Sequence, residues 1–434
     1  ADELTARKEP AVHAPGVPAP GAMPPAPGDG SRTLWLGASG GSSVKLGDAE
    51  TYVSGARTIS SNNSTETTAR QTSTPPRIWL VIGDKLGDNA QVMMIANSLG
   101  LAYTVKHLSP RQKYILGKPR FKASLEHLDA DHSDALSPPW PDLVITAGRR
   151  HAMAALWIKQ QSPKTKIILL GRPRRWIDSF DLVITLPQYH LPDLPQVMRL
   201  SLPLMRTDSE AISRSAKAWA PSLESLPRPI IAVLIGSATR PFRFDAKITH
   251  ELLTQCSKLQ SRYGGSLYFS TSRRTSADIV DTLRAQLPGT AQIFEWRQDC
   301  TDNPYLALLE HADYFVVTGD SVSMMIEVAD RGKPMAIFQL PASRLGSIWL
   351  SFTRRLHARP DNTTCNRLFR WMGRLLYQSG VVGFSRDLTQ IHKTLINGGF
   401  AVRLGETFNA PSRALPNELD RIRQRILELL AGTC

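Results

Sequence analysis

The feature that most constrains this chain is an alternation that begins abruptly at Arg77. Short runs that are apolar at nearly every position recur, and most are separated by segments of helical pattern. "IWLVIGD" (78–84), residues 102–106, "DLVITAG" (142–148), "KIILLG" (166–171) and "DLVITLP" (181–187) form a first series. "IIAVLIG" (230–236), "SLYFSTS" (266–272), "AQIFEW" (291–296), "DYFVVTG" (313–319) and "PMAIFQL" (334–340) form a second. A strand that is apolar throughout, rather than at alternate positions, is buried on both faces. Such strands, joined by helices, build parallel sheets covered on both sides. The expected fold class is therefore α/β, with two units in tandem.

The rest of the chain brackets those units. Residues 1–76 are rich in Pro, Gly and Ala or almost wholly polar, as in "TISSNNSTETTARQTSTPP". They bury too little apolar area to offset the entropy of ordering, which predicts a disordered tail. The first unit is placed at 77–207, an irregular linker at 208–228 and the second unit at 229–410. Residues 411–434 hold one more amphipathic helix, "ALPNELDRIRQRILELL", free to pack back on the first unit.

Composition narrows the partners. The chain carries 52 basic and 38 acidic residues in 434, a formal charge of +14. That excess favours anionic partners such as nucleotide phosphates or an acidic membrane surface. Nucleic acid is set aside, because no basic and aromatic stacking module is visible. The four cysteines (Cys256, Cys300, Cys365 and Cys434) are far apart, which argues against a disulfide scaffold or a zinc site. No apolar run reaches the roughly 18 residues of a membrane span, and no secretory pattern opens the chain. These traits predict a cytoplasmic protein, peripheral at most on the cytoplasmic face of a membrane.

Ligands of doubly wound sheets bind beyond the C-terminal ends of the strands, so the strand-end loops carry the functional reading. "GDKLGDNAQ" (83–91) places Asp84, Lys85 and Asp88 at one such end, with neither a dinucleotide nor a P-loop motif. Asp88 is equally suited to cap the following helix. "TAGRRHA" (146–152) opens a helix with Arg149 and Arg150, against the helix dipole. Either an anionic substrate group or a loop acid could balance them. "GRPRR" (171–175) adds charge at the next strand end.

In the second unit, "IGSATRPFRFD" (235–245) offers Arg240 and Arg243, and "STSRRTSAD" (270–278) offers Ser272, Arg273 and Arg274. Hydroxyls, backbone amides and guanidinium groups together suit a phosphate or diphosphate. "TGDSVSMMIEVADRGKP" (318–334) turns from strand to helix at Asp320 and Ser321. Val322, Met325, Ile326 and Ala329 should pack on the sheet, while Asp320, Ser323 and Glu327 share another face. First-turn amides with Ser321 and Ser323 can hold an anion, and Glu327 can accept hydrogen bonds from the vicinal hydroxyls of a ribose. The plainer alternative is a capped helix with an exposed glutamate. "DAD" (129–131) lies in a polar loop and reads as surface rather than as a metal motif.

These motifs, in order with "DNPYLALLEHADYFVVTGDSVSM" and the later "LTQIHKTLINGGFAVRLG", resemble the mitochondrial-fission Elm family and its bacterial relatives. The turn at 318–334 resembles the MurG-like donor site of GT-B glycosyltransferases. The resemblance covers most of the chain beyond the tail and departs at Lys85-Leu86, where smaller residues are expected. It implies a GT-B fold, two Rossmann-like domains facing across a cleft. It implies transfer of a sugar from a nucleotide-sugar co-substrate, with no cofactor and no metal, to a glycolipid or saccharide acceptor. Arg240, Arg243, Ser272, Arg273, Arg274, Asp320, Ser321, Ser323 and Glu327 would then bind the donor. Asp84 or Asp88 would be the base of an inverting transfer, and Lys85, Arg149 and Arg150 would meet the acceptor. The family also implies an alternative, a non-catalytic adaptor that recruits a dynamin-related GTPase to a membrane.

One further stretch bears on membranes. In "NRLFRWMGRLLYQ" (366–378), Leu368, Trp371, Met372 and Leu375 fall opposite Arg367, Arg370 and Arg374. A helix on an anionic bilayer fits this pattern, as does a helix packed on the domain with a basic outer face. With "RQKYILGKPRFK" (111–122), it suits a membrane-lipid or lipopolysaccharide-type acceptor.

Overall fold

The computed structural model describes residues 75–114, 119–173, 176–205, 207–300, 302–357 and 386–432, with the short pieces 34–35, 43–44, 371–372 and 375–376. Most of the predicted tail and of the 366–378 helix lies outside these residues, as do parts of 111–122 and 171–175. Within 1–74 only β1 (Leu34–Trp35), paired antiparallel with β2 (Ser43–Val44), is described.

The apolar runs form two six-stranded sheets, every pairing in them parallel. The first lobe contains β3 (Ile78–Ile82), α1 (Leu86–Leu99), β4 (Thr104–His107), β5 (Leu143–Ala147), α2 (Arg149–Gln161), β6 (Lys166–Leu170), β7 (Leu182–Thr185) and β8 (Val197–Arg199). Its strand order is β4-β3-β5-β6-β7-β8. Every residue of β3 and of β5 is buried, as runs without alternation require. Gly100 ends α1 in the left-handed region (φ 68°), where glycine carries no Cβ penalty.

Next comes α3 (Ser209–Glu224), a correction to the irregular linker expected at 208–228. Asp208 caps this helix by accepting from the amides of Glu210 and Ala211, and Ile212, Ala216 and Leu223 are buried. Its Ser, Lys and Ala content and Pro221 in the last turn hide the apolar stripe from a reading by composition.

The second lobe contains β9 (Ile230–Ile235), α4 (Ala246–Tyr263), β10 (Ser266–Thr271), α5 (Ala277–Gln286), β11 (Gln292–Phe294), α6 (Tyr305–His311), β12 (Tyr314–Thr318), α7 (Val322–Asp330), β13 (Met335–Phe338), α8 (Arg344–His357), α9 (Thr389–Asn397) and β14 (Val402–Arg403). The order is β11-β10-β9-β12-β13-β14. Apolar cores lie on both faces of each sheet.

Two features join the lobes. The last helix, α10 (Leu419–Ala431), packs on α1, and its Ile422 and Ile426 are fully buried in the first lobe's core. The amide of Ser201 donates to Glu418 at 2.6 Å. Nearer the middle of the chain, the Asp387 amide donates to the Gln188 carbonyl at 3.0 Å. The Asp387 carboxylate is fully buried. It accepts from Arg354 at 2.6 and 2.8 Å and from Thr389 at 2.6 Å, and lies 3.1 Å from Nε2 of His190 in the first lobe. Burial would raise its pKa, but the donors of Arg354, His190 and Thr389 outweigh burial and hold it far below the carboxylate range.

Candidate functional site

The second sheet changes direction at β9: the chain goes to β10 on one side and reaches β12 on the other. The loops leaving β9 and β12 part at such a switch point and open a crevice. The amide of Gly236 donates to Oγ1 of Thr318 at 2.8 Å, and that of Ser237 donates to Oδ2 of Asp320 at 2.7 Å. The Thr318 hydroxyl donates to the other Asp320 oxygen at 2.8 Å. Glycine at 236 makes room for this floor, because a Cβ there would lie 2.2 Å from both Oδ2 of Asp320 and Oγ of Ser321 and would displace both side chains.

The third loop joins through Thr275, whose hydroxyl donates to the Gly236 carbonyl at 2.8 Å and accepts from the Ser272 amide at 2.9 Å. Arg274 then reaches to 3.9 Å from Asp320, with its side chain half exposed. Three strand ends thus share one hydrogen-bonded floor. Burial raises the pKa of Asp320, against the Ser237 amide, the Thr318 hydroxyl and Arg274, which lower it.

One turn along α7, Glu327 is largely covered and accepts from the Tyr305 hydroxyl. Burial pushes the Glu327 pKa up, with the Tyr305 bond opposing and Asp330 adding to the rise. Burial also lifts the Tyr305 phenol well above its usual range, reinforced by Glu327. Ser323, Arg240 and Arg273 are exposed and lie on the segments that leave β12, β9 and β10. Arg243 is held by Asp245 at 2.6 Å, the residue that caps α4.

The sequence-predicted donor residues therefore divide into groups. Ser272, Arg274, Asp320 and Ser321 converge; Glu327 lies behind them with Tyr305; Ser323, Arg240 and Arg273 form an open rim; Arg243 is tied to its own loop. Asp320 faces inward as an acceptor, so its part is to set the two loops rather than to meet an anion.

In the first lobe, Asp84 is exposed and lies 3.9 Å from Nη1 of Arg150. Asp88 does not cap α1: Lys85 occupies the cap position without a side-chain bond, and Asp88 stands 4.0 Å from its ammonium. Asn89 secures the turn instead, donating to the Gly83 carbonyl at 2.6 Å. Arg150 takes the loop-acid alternative, with Asp84 as its acid. Arg149 turns into its own lobe, donating to the Pro119 carbonyl and lying over the Phe121 ring. Asp84, Lys85, Asp88 and Arg150 are thereby gathered on one edge.

Sequence reasoning missed several contributors, among them Thr275 and Thr318, whose hydroxyls tie the strand ends together. Ser237 supplies an amide to the floor and Tyr305 holds Glu327. Two buried histidines stand behind the glycine turns. His392 lies 2.6 Å from the Gly319 carbonyl, and a Cβ on Gly319 would meet its ring at 2.7 Å. His151 lies 2.9 Å from the Ala147 carbonyl, and its Nε2 stands 2.3 Å from where a Gly83 Cβ would be. Burial lowers the pKa of both, opposed by those carbonyls. Only their place among the apolar positions of helices that end as polar as "TQIHKTLIN" and "RRHAMAALWIKQQ" could have marked them.

Two Rossmann-like units with polar strand-end edges define the GT-B class of fold. Within it, the chain belongs to the mitochondrial fission ELM1 family, whose model matches residues 87–367. It is 26% identical over 298 residues to the uncharacterized protein RP120 of Rickettsia prowazekii, covering 61% of this chain and 83% of that protein. It is also 26% identical over 220 residues to the mitochondrial fission protein ELM1 of Arabidopsis thaliana, 45% of this chain and 51% of the plant protein. Among solved structures, a glycosyltransferase of Rickettsia africae is similar at 11% identity and TM-score 0.41, covering 83% of this chain and 99% of that one. UDP-GlcNAc 2-epimerase of Neisseria meningitidis, solved with UDP-GlcNAc, is similar at 11% identity and TM-score 0.37, covering 82% and 100%. At such scores these two likenesses carry no functional weight.

Proposed function

We propose that the chain is a glycosyltransferase that takes a sugar from a nucleotide-activated donor at the second lobe's switch point. The observation that carries this reading is the junction of three strand ends through Gly236, Ser237, Thr275 and Asp320, ringed by Arg240, Arg273, Arg274 and Ser323. That rim offers positive charge and hydroxyl donors at a strand-to-helix turn, the setting in which a diphosphate is held. The guanidinium groups and first-turn amides would neutralise the departing diphosphate without a metal. Glu327, one turn further, would accept from a ribose with the oxygen that Tyr305 leaves open.

Asp84 or Asp88, on the edge of the other lobe, would take the proton of the acceptor hydroxyl in an inverting transfer. Lys85 would contact the acceptor while Arg150 holds Asp84 in place, and a glycolipid acceptor at the cytoplasmic face of a membrane suits the basic chain. The test is a thermal-shift screen of nucleoside diphosphates and sugar nucleotides. We expect stabilisation by one nucleotide, lost in Glu327→Ala.

A second reading, a non-catalytic adaptor on the same fold, is favoured by one observation: Asp320 and Glu327 already have partners within the chain. It also accords with the name of the plant relative. Absence of any nucleotide response in the same screen would select it.

A further inference from the structure

Helix α8 presents an apolar stripe to solvent. Leu345, Ile348 and Phe352, spaced i, i+3 and i+7, are 81%, 69% and 39% exposed. The opposite side of the helix is seated, with Leu350 and Thr353 buried. A single exposed leucine is ordinary, but a row of large apolar side chains along one helix is a binding surface. Further along the chain Trp371 and Leu375, again one turn apart, are 63% and 51% exposed.

Charge identifies what would cover this surface. Between residues 344 and 376 the sequence holds arginines 344, 355, 359, 367, 370 and 374, besides Arg354, which is taken up by Asp387, against a single acid, Asp361. An apolar helix face within so basic and acid-poor a stretch of sequence complements an anionic bilayer, where apolar groups enter the headgroup boundary and cations meet lipid phosphate. A protein partner of ordinary composition would not call for so one-sided a charge. No helix among the described residues is long and apolar enough to cross a membrane, so the contact is one of surface docking.

The position of α8 ties this surface to the site. Its first turn rests on the loop that follows β9: a Cβ on Gly346 would meet Cβ of Pro241 at 2.6 Å. The Ser343 amide donates to the Pro241 carbonyl at 3.0 Å, and the Arg243 amide donates to the Pro341 carbonyl at 2.8 Å. Arg240 stands beside that proline. We infer that α8, with Trp371 and Leu375, seats this chain on an anionic lipid surface and sets the rim of the candidate donor site beside the bilayer. The acceptor is then lipid-borne, a step that rests on the transferase reading; the docking itself does not.

The test is sedimentation of the full chain with phosphatidylcholine vesicles, either pure or containing about one third phosphatidylglycerol. The wild type should pellet with the anionic vesicles and not with the neutral ones, and brominated lipid should quench the part of its tryptophan emission that is lost in Trp371→Phe. The triple variant L345S/I348S/F352S, checked for an unchanged melting temperature, should bind at least about tenfold more weakly. No pelleting, equal pelleting with neutral lipid, or unaltered binding by the variant would overturn the inference. So would a wild-type dimer that the variant converts to a monomer, which would make the stripe a contact between copies. Vesicle binding without any nucleotide response would retire the transferase and leave the docking standing. Nucleotide binding without vesicle binding would do the reverse.

Discussion

Asp387 offers the sharpest test of how the lobes are held. Replacing it with Ala removes the acceptor for the Arg354 fork, the Thr389 hydroxyl and His190 together. Deleting one partner of a buried pair costs about 3–5 kcal/mol. The Arg354 side chain is 38% exposed, so it can regain water, and we discount the loss to about 2–3 kcal/mol. Urea unfolding at neutral pH should show that loss in Asp387→Ala. Arg354→Leu alone leaves a buried carboxylate with weaker partners and should also destabilise, while the double variant should lose clearly less than the sum. A loss below about 1 kcal/mol, or additivity within about 0.5 kcal/mol, would refute the argument. The pH sign follows from a depressed folded pKa. The contribution is complete above the ordinary carboxylate range and is lost only as pH falls below it, toward the folded pKa.

Two further outcomes can be checked. His127 is 1% exposed, its Nε2 lies 2.9 Å from the Arg150 carbonyl, and its Nδ1 is buried with no partner among the described residues. Burial, the largest cause, lowers its pKa to about 4 from 6.5. The unfolded chain therefore binds a proton that the fold does not, and stability is lost as pH falls from 6.5 toward 4, by at most about 3 kcal/mol. Denaturation from pH 7 to pH 4.5 should show a shallower decline in His127→Gln; His151 and His392 act in the same direction, Asp320 and Glu327 in the opposite one. Ile422→Ala should cost about 2–4 kcal/mol as a fully buried aliphatic truncation, and an unchanged urea midpoint would show that α10 does not complete the first lobe's core.

Legibility followed the range of the interactions. Apolar runs bounded by glycine marked the strands because burial on both faces leaves a strictly local trace. The start of helix α2 was legible for a local reason too, since "TAGRRHA" turns from strand to helix at Gly148. Helix α3 was lost because Pro221 and polar residues mask a stripe of only three buried side chains. At the site, the polar strand ends could be read one by one, but their partners could not. Gly236 meets Thr318 and His190 meets Asp387 across 82 and 197 residues, and no local pattern records such pairings. That also explains why Asp320 resembles a ligand residue in the sequence while the fold turns it inward.

The packing of α10 has a consequence for the order of events at the ribosome. The first lobe leaves the exit tunnel with β3 to β8 complete, yet Ile422 and Ile426 of its core lie some two hundred residues downstream, as does Glu418, the acceptor for Ser201. Until α10 emerges, α1 carries an uncovered apolar face. The second lobe must therefore be translated while the first is still open. Synthesis of the entire second lobe sets how long that face stays exposed.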